Sequence, residues 1–177
     1  MIVRPATAAD VAEITAIYAH HVLHGLGTFE EIPPATDDIS GRVAKVQTLG
    51  LPWLVAEDGH VIIGYAYAGP FRPRAAYRFT VEDSVYVAPT AIGRGIGRAL
   101  LTEVITACEV RGMRQILAVI GDSGNAASIG VHRSLGFEHT GVAKAVGYKH
   151  GRWVDIVFMQ RDLPHAVAGA GLDLSEG

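Results

Sequence analysis

Apolar positions change their period along the chain, and the changes mark its elements. Residues 2–4 read as a short strand that Pro5 stops. From Thr7, which can cap free backbone N–H groups, the positions Val11, Ile14, Ile17, Tyr18 and Val22 recur at helical spacing and predict a helix to about His24. Gly25 and Gly27 end it. Thr28 to Ile32 is irregular or briefly extended, Pro33-Pro34 bar a helix, and Thr36 to Leu49 is a second helix stopped by Gly50. The period then drops to two. Trp53 to Glu57 and Val61 to Ala68 are β-rich runs separated by Asp58-Gly59, a hairpin signal. A polar loop, Arg72 to Arg78, leads into a long strand, Phe79 to Val87. After a turn at Pro89 to Gly95 come a helix from Ile96 to Arg111, a strand from Gln115 to Ile120 and a helix from Asn125 to Leu135. Strands Phe137 to Val146 and Arg152 to Arg161 complete the set. The order β-α-α-β-β-β-α-β-α-β-β is that of an α/β protein with a mixed sheet and helices on its faces. No repeat or linker divides it, so residues 1–163 are expected to form one domain, with an aperiodic, flexible tail at 164–177.

Composition narrows the classes. With 177 residues, 49% of them apolar, the chain can bury a full core without disulfides or a structural metal. A net charge of -3 argues against a nucleic-acid partner, which calls for a strongly basic face. Cys108 is the only cysteine, so no internal disulfide or thiolate metal cluster forms, and its helical setting reads as a buried small hydrophobe. No apolar window reaches the roughly 18 residues of a membrane helix, and the N-terminus lacks a signal-peptide run, so a cytoplasmic protein without a membrane partner is expected. His20 and His24 lie four apart on a helix, but no carboxylate completes a ligand set by motif, and no metal is expected.

The most informative segment follows the long strand. Gly93, Gly95 and Gly97 alternate with Arg94, Ile96 and Arg98 between a strand and a helix. Glycine allows a tight turn and close approach of a ligand, and the N–H groups of 93–98 can converge on one anion at the positive end of the next helix. Arg94 and Arg98 add charge. The segment reads as a pyrophosphate site. It is not the dinucleotide fingerprint, whose third glycine would fall on Arg98, and no P-loop run occurs.

Here the chain resembles the GCN5-related N-acetyltransferase (GNAT) superfamily, whose pyrophosphate motif (Q/R)-x-x-G-x-(G/A) fits through Gly97 with Ile92 at the leading position. Asn125-Ala-Ala-Ser128-Ile-Gly-Val-His132-Arg-Ser-Leu-Gly136-Phe137 is similar to the superfamily's second element beside the CoA arm, with His132 where many members carry tyrosine. The closer resemblance is to phosphinothricin and methionine sulfoximine acetyltransferases. It runs through Gly64 to Val87, Val119-Ile-Gly and Gly147 to Asp155, and covers the chain to about residue 163. It implies a mixed, mostly antiparallel sheet flanked by helices, acetyl-CoA as co-substrate, a small amino-acid-like acceptor and a homodimer.

The resemblance also implies roles. Val85, Tyr86 and Val87 supply backbone to the pantetheine arm, and one of these amides stabilises the thioester oxygen. The glycine turn, Arg98, Asn125 and Ser128 complete the cofactor site. The leaving thiol departs readily at a pKa of roughly 8.5; the obstacle is that the amine is mostly ammonium, which a positioned base deprotonates. Glu82 is the candidate base: Thr80, Glu82, Ser84 and Tyr86 share one strand face, and Phe79, Val81, Val85 and Val87 share the other. Arg72, Arg74 and Tyr77 are the candidate grip on the substrate carboxylate, since guanidinium binds carboxylate through two parallel hydrogen bonds. Phe29 and Glu30 lie in the loop that related enzymes fold over the substrate. For His132, three roles stay open: stabilising the leaving thiolate, shuttling a proton, or filling space beside the CoA arm. A protein N-terminal or lysine acetyltransferase and a non-catalytic acetyl-CoA-binding module are the alternatives.

Overall fold

The computed structural model describes residues 1–164 and 171–174. Its elements are β1 (Ile2–Pro5), α1 (Val11–His24), α2 (Thr36–Thr48), β2 (Trp53–Asp58), β3 (Val61–Pro70), β4 (Thr80–Val87), α3 (Ile96–Val110), β5 (Gln115–Gly121), α4 (Ala126–Ser134), β6 (Glu138–Lys149) and β7 (Arg152–Asp162). The strands form one seven-stranded sheet in the order β1-β2-β3-β4-β5-β7-β6. Every pairing is antiparallel except that of β4 with β5.

The two faces of the sheet follow from the strand pleat. Tyr65 and Tyr86 are cross-strand partners on one face, and Tyr18 of α1 meets Tyr86 edge-on at 5.1 Å. α2 packs beside α1 on this side. Stacked Trp53, Tyr67 and Tyr65 extend the aromatic layer. The other face belongs to α3. A Cβ at Gly64 would crowd Ile96 and Leu100, and the Val85 and Val87 side chains flank Gly97. Leu100, Leu101, Val104 and Cys108 of α3 are fully buried there, each large aliphatic contributing about 1.5–3 kcal/mol.

Observed boundaries differ most from the sequence periods in the β6–β7 hairpin. β6 runs on to Lys149 because its register with β7 shifts between Ala143 and Gly147. The bulge holds Ala145 at φ 51°, and Asp155 fixes it by accepting the Ala145 N–H at 2.9 Å. A bulge breaks period-two alternation, so the pattern stops short of the strand. α1 begins later than expected, after a 3-10 turn at Ala8–Asp10, where Asp10 accepts two bonds from Arg4 at 2.7 and 2.8 Å and the Thr7 N–H at 2.7 Å.

At the C-terminus the expectation of a loose tail meets a packed segment. Leu172 is buried, its N–H bonds the Arg78 carbonyl at 2.8 Å, and Leu174 rests against the core. Two leucines spaced by two supply enough apolar surface to dock. The rest of that expected tail, 165–170 and 175–177, lies outside the described residues.

Candidate active site

β4 and β5 are paired over only four residues, Thr80–Asp83 with Gln115–Ala118. Both strands continue past that point, and the gap between them opens a cleft of about 660 Å³. Val85 and Val87 stand on one wall, Val119 and Gly121 on the other. Unpaired strand backbone along such a gap offers N–H and C=O groups to a ligand. One of these is taken: the Val87 carbonyl lies 2.9 Å from His21 Nε2 of α1. Burial, outweighing that bond, lowers the His21 pKa. A neutral ring that donates through Nε2 satisfies both observations.

The glycine turn closes one end of the cleft. Gly93, Gly95, Ile96, Gly97 and Arg98 all line it. Gly95 is the residue before α3 and has φ 78°, in the left-handed region that favours glycine. The first-turn N–H groups of α3, which have no partner within the helix, therefore sit at the cleft with the helix's positive end. Arg94 does not join them. It is exposed and pairs with Asp58 at 2.7 Å. Asn125 and Ser128 line the cleft too, but Asn125 Oδ1 caps α4 by accepting the Ser128 N–H at 3.2 Å.

Glu82 and His132, the two candidate catalytic residues, stand on opposite faces of β4. Glu82 shares the face of Tyr86 and lies opposite Gly69, which has no side chain to cover it. It is half-buried, and no side chain among the described residues hydrogen-bonds it. Burial first, and the charge of Asp83 next, raise its pKa to about 7 against the opposing charge of Arg72. A carboxyl poised there exchanges protons readily at neutral pH. His132 is buried on the other face with Nε2 2.9 Å from Asp83 Oδ2 and Nδ1 2.8 Å from the Ser128 carbonyl. Burial opposes charge on the ring, yet Asp83 and the Ser128 carbonyl hold its pKa above the ordinary value. Asp83 is absent from the sequence-based candidates. The signal for it is a charged residue at an apolar position of the row Phe79, Val81, Val85, Val87.

Glu82 is not among the residues that line the cleft, and neither are the remaining candidates. Arg72, Arg74 and Tyr77 are exposed on the loop before β4, and Tyr77 sits edge-on to Phe71 at 5.7 Å. Neither arginine has an acidic partner among the described residues, so both guanidinium groups are open to an anion. Phe29 and Glu30 belong to a fixed loop. Glu30 receives Tyr18 Oη at 2.9 Å and Arg42 at 2.6 Å, and the Phe29 ring lies where a Cβ on Gly147 would be. Buried Lys149 donates to the Thr28 carbonyl at 2.7 Å, and the Leu26 carbonyl occupies the place of a Cβ on Gly121. Two glycines and a lysine thus seat the α1–α2 loop against the far half of the sheet. Sequence reading passes over Lys149 because its partner lies 121 residues away.

Comparison with known proteins gives consistent results. The family model described as Acetyltransferase (GNAT) domain matches residues 3–158. The chain is 56% identical over 154 residues, 87% of its length and 78% of the relative's, to a phosphinothricin N-acetyltransferase of Alcaligenes faecalis. It is 43% identical to an L-methionine sulfoximine/L-methionine sulfone acetyltransferase of Salmonella typhimurium, covering 95% of this chain and 98% of that one. Among solved structures, a GNAT superfamily phosphinothricin acetyltransferase of Sinorhizobium meliloti in complex with AcCoA superposes with a TM-score of 0.90 at 47% identity, over 97% of this chain and 93% of the other.

Proposed function

The chain belongs to the GNAT acetyltransferase family and is an acyltransferase, and on that premise we propose that it moves the acetyl group of acetyl-CoA onto the α-amine of a small amino-acid-like compound. The acceptor class is that of phosphinothricin, methionine sulfoximine or methionine sulfone, the compounds that name its relatives. The observation that carries the reading is the parting of β4 from β5 into a cleft that ends on the glycine turn. A pyrophosphate suits the N–H groups at the start of α3, with Arg98 beside them. The pantetheine arm suits the unpaired edge of β4 at Val85, Tyr86 and Val87, and α4, capped by Asn125 at the Ser128 N–H, walls its other side.

In the reaction, Glu82 takes a proton from the ammonium group, directly or through a water. The free amine attacks the thioester carbonyl, the C–N bond forms, and the C–S bond breaks to release the thiol. A Glu82 pKa of about 7 leaves enough carboxylate near neutral pH to act and enough basicity to matter. Among the described residues Arg72 and Arg74 have no acidic partner to displace, which favours them for the substrate carboxylate, with Tyr77 beside them. Phe29 and Glu30, in the seated loop, border the acceptor. No metal takes part, so a chelator leaves turnover unchanged. The same reading proposes a homodimer acting in the cytoplasm; the mass of a single chain by light scattering contradicts the dimer.

The test is thiol release from acetyl-CoA with a panel of amines. Turnover with sulfoximine, sulfone or phosphinothricin and none with an N-terminal peptide is expected. Acetylation of the peptide alone, or acetyl-CoA binding without release, overturns the reading.

A further inference from the structure

Lys149 is a buried titratable group that the mechanism above does not use. It is 1% exposed, and its amine donates to the Thr28 carbonyl at 2.7 Å, a neutral partner. Burial lowers its pKa, and Glu31 and Glu30 oppose that only through their charges. A buried ammonium with so little compensation costs stability, and an apolar chain of similar length would fill the space without that cost. Packing alone does not ask for the amine. What the amine supplies is direction, through one hydrogen bond that fixes one carbonyl.

Its setting is that of a fixed anchor. Lys149 is the last residue of β6 and pairs with Arg152 across a two-residue turn, His150-Gly151. The turn's φ values, 50° and 74°, are positive at both positions, as a tight type I′ hairpin requires. Arg152 in turn donates to Asp122 at 3.0 Å, which ties the hairpin tip to the end of β5. The α1–α2 loop lies on this frame and is fastened to it twice. Gly25, Leu26 and Gly27 line the cleft, and the Leu26 carbonyl occupies the place of a Cβ on Gly121. Thr28 follows. Its carbonyl takes the Lys149 bond, and its hydroxyl meets Tyr18 Oη at 2.8 Å and the Glu30 N–H at 3.3 Å. A shift of the Thr28 peptide therefore moves Phe29 and Glu30 directly, while Leu26 keeps its own seat.

We propose that Lys149 is a positioning residue for the acceptor side of the site: its amine fixes the Thr28 peptide and so sets where Phe29 and Glu30 border the acceptor, independently of acetyl-CoA. The proposal rests on the acetyltransferase reading, in which those two residues border the acceptor. The loop then has two halves with separate fasteners. Close packing at Gly121 holds the cofactor half, and a single directed bond from Lys149 holds the acceptor half.

Lys149→Met tests it, because it keeps most of the side chain and removes the donor. The acceptor KM should rise about tenfold, as for a lost hydrogen bond from a charged group, while the acetyl-CoA KM stays within about twofold. The melting temperature should not fall, since a buried charge is exchanged for an apolar chain. A lysine that merely holds the fold would lower the melting temperature and disturb both KM values. Amide hydrogen exchange, which needs no turnover, should quicken at Phe29 and Glu30 and stay unchanged at Leu26. Equal rises in both KM values, an unchanged acceptor KM, a variant that melts lower or does not fold, or wild-type exchange at Phe29 and Glu30 overturns the proposal. If the wild type acetylates no amine, the reading of its function fails, and the exchange and melting measurements still judge Lys149.

Discussion

Glu82 and Asp83 are neighbours in sequence and opposites in circumstance. The pleat of β4 turns Glu82 toward the aromatic layer under α1, where no side chain among the described residues bonds it and its pKa rises to about 7. The same pleat turns Asp83 toward α3 and α4, where it is buried against His132. One carboxyl is unpaired and poised; the other is paired and committed. The residue type does not assign the role; the surroundings do. The strand thus carries two carboxyls in opposite settings across a single peptide bond.

The largest way to break that comparison is Glu82→Gln. Turnover should fall about 10²–10⁴-fold near neutral pH, while calorimetry finds acetyl-CoA affinity unchanged. Next in size, Arg74→Ala should raise the acceptor KM roughly tenfold or more, as befits a lost charge-assisted bond, with the acetyl-CoA KM unmoved. Equal effects on both would make the arginine structural. Third is stability. A carboxyl whose pKa is raised on folding stabilises the native state below its unfolded value and loses that contribution as pH rises through about 7. Glu82→Gln should therefore match the wild type near pH 4 and exceed it at pH 8 by about 1–2 kcal/mol after allowance for solvent screening, or about 3–6 °C in Tm. Smallest, Gly147→Ala pushes the Phe29 ring from its seat and should raise the acceptor KM a few-fold without touching acetyl-CoA.

The contrast between the faces also explains how much of the site was legible. Period-two and helical patterns locate the strands and helices to within a few residues, because most of them bury one face against the core; β1 and β6 bury little. The glycine turn reads directly, since Gly95 needs a positive φ and a helix must start there. Glu82 stands out as a carboxyl in a polar row. Asp83 interrupts an apolar row, and its meaning depends on His132, which arrives 49 residues later on another element. Likewise the motif counts Arg94 as phosphate charge, but its side chain leaves for Asp58, a partner that only the β2–β3 hairpin brings near. Local periodicity specifies which face a side chain takes. It does not specify which distant group waits there.

The central claim is that Glu82 accepts the proton from the amine. Its most direct test is the pH dependence of kcat/KM for thiol release, wild type against Glu82→Gln, between pH 5 and 9. The wild-type profile should rise through about pH 7, and the Glu82→Gln profile should lack that limb and follow only the higher pKa of the amine itself. The same limb at pH 7 in Glu82→Gln would contradict it.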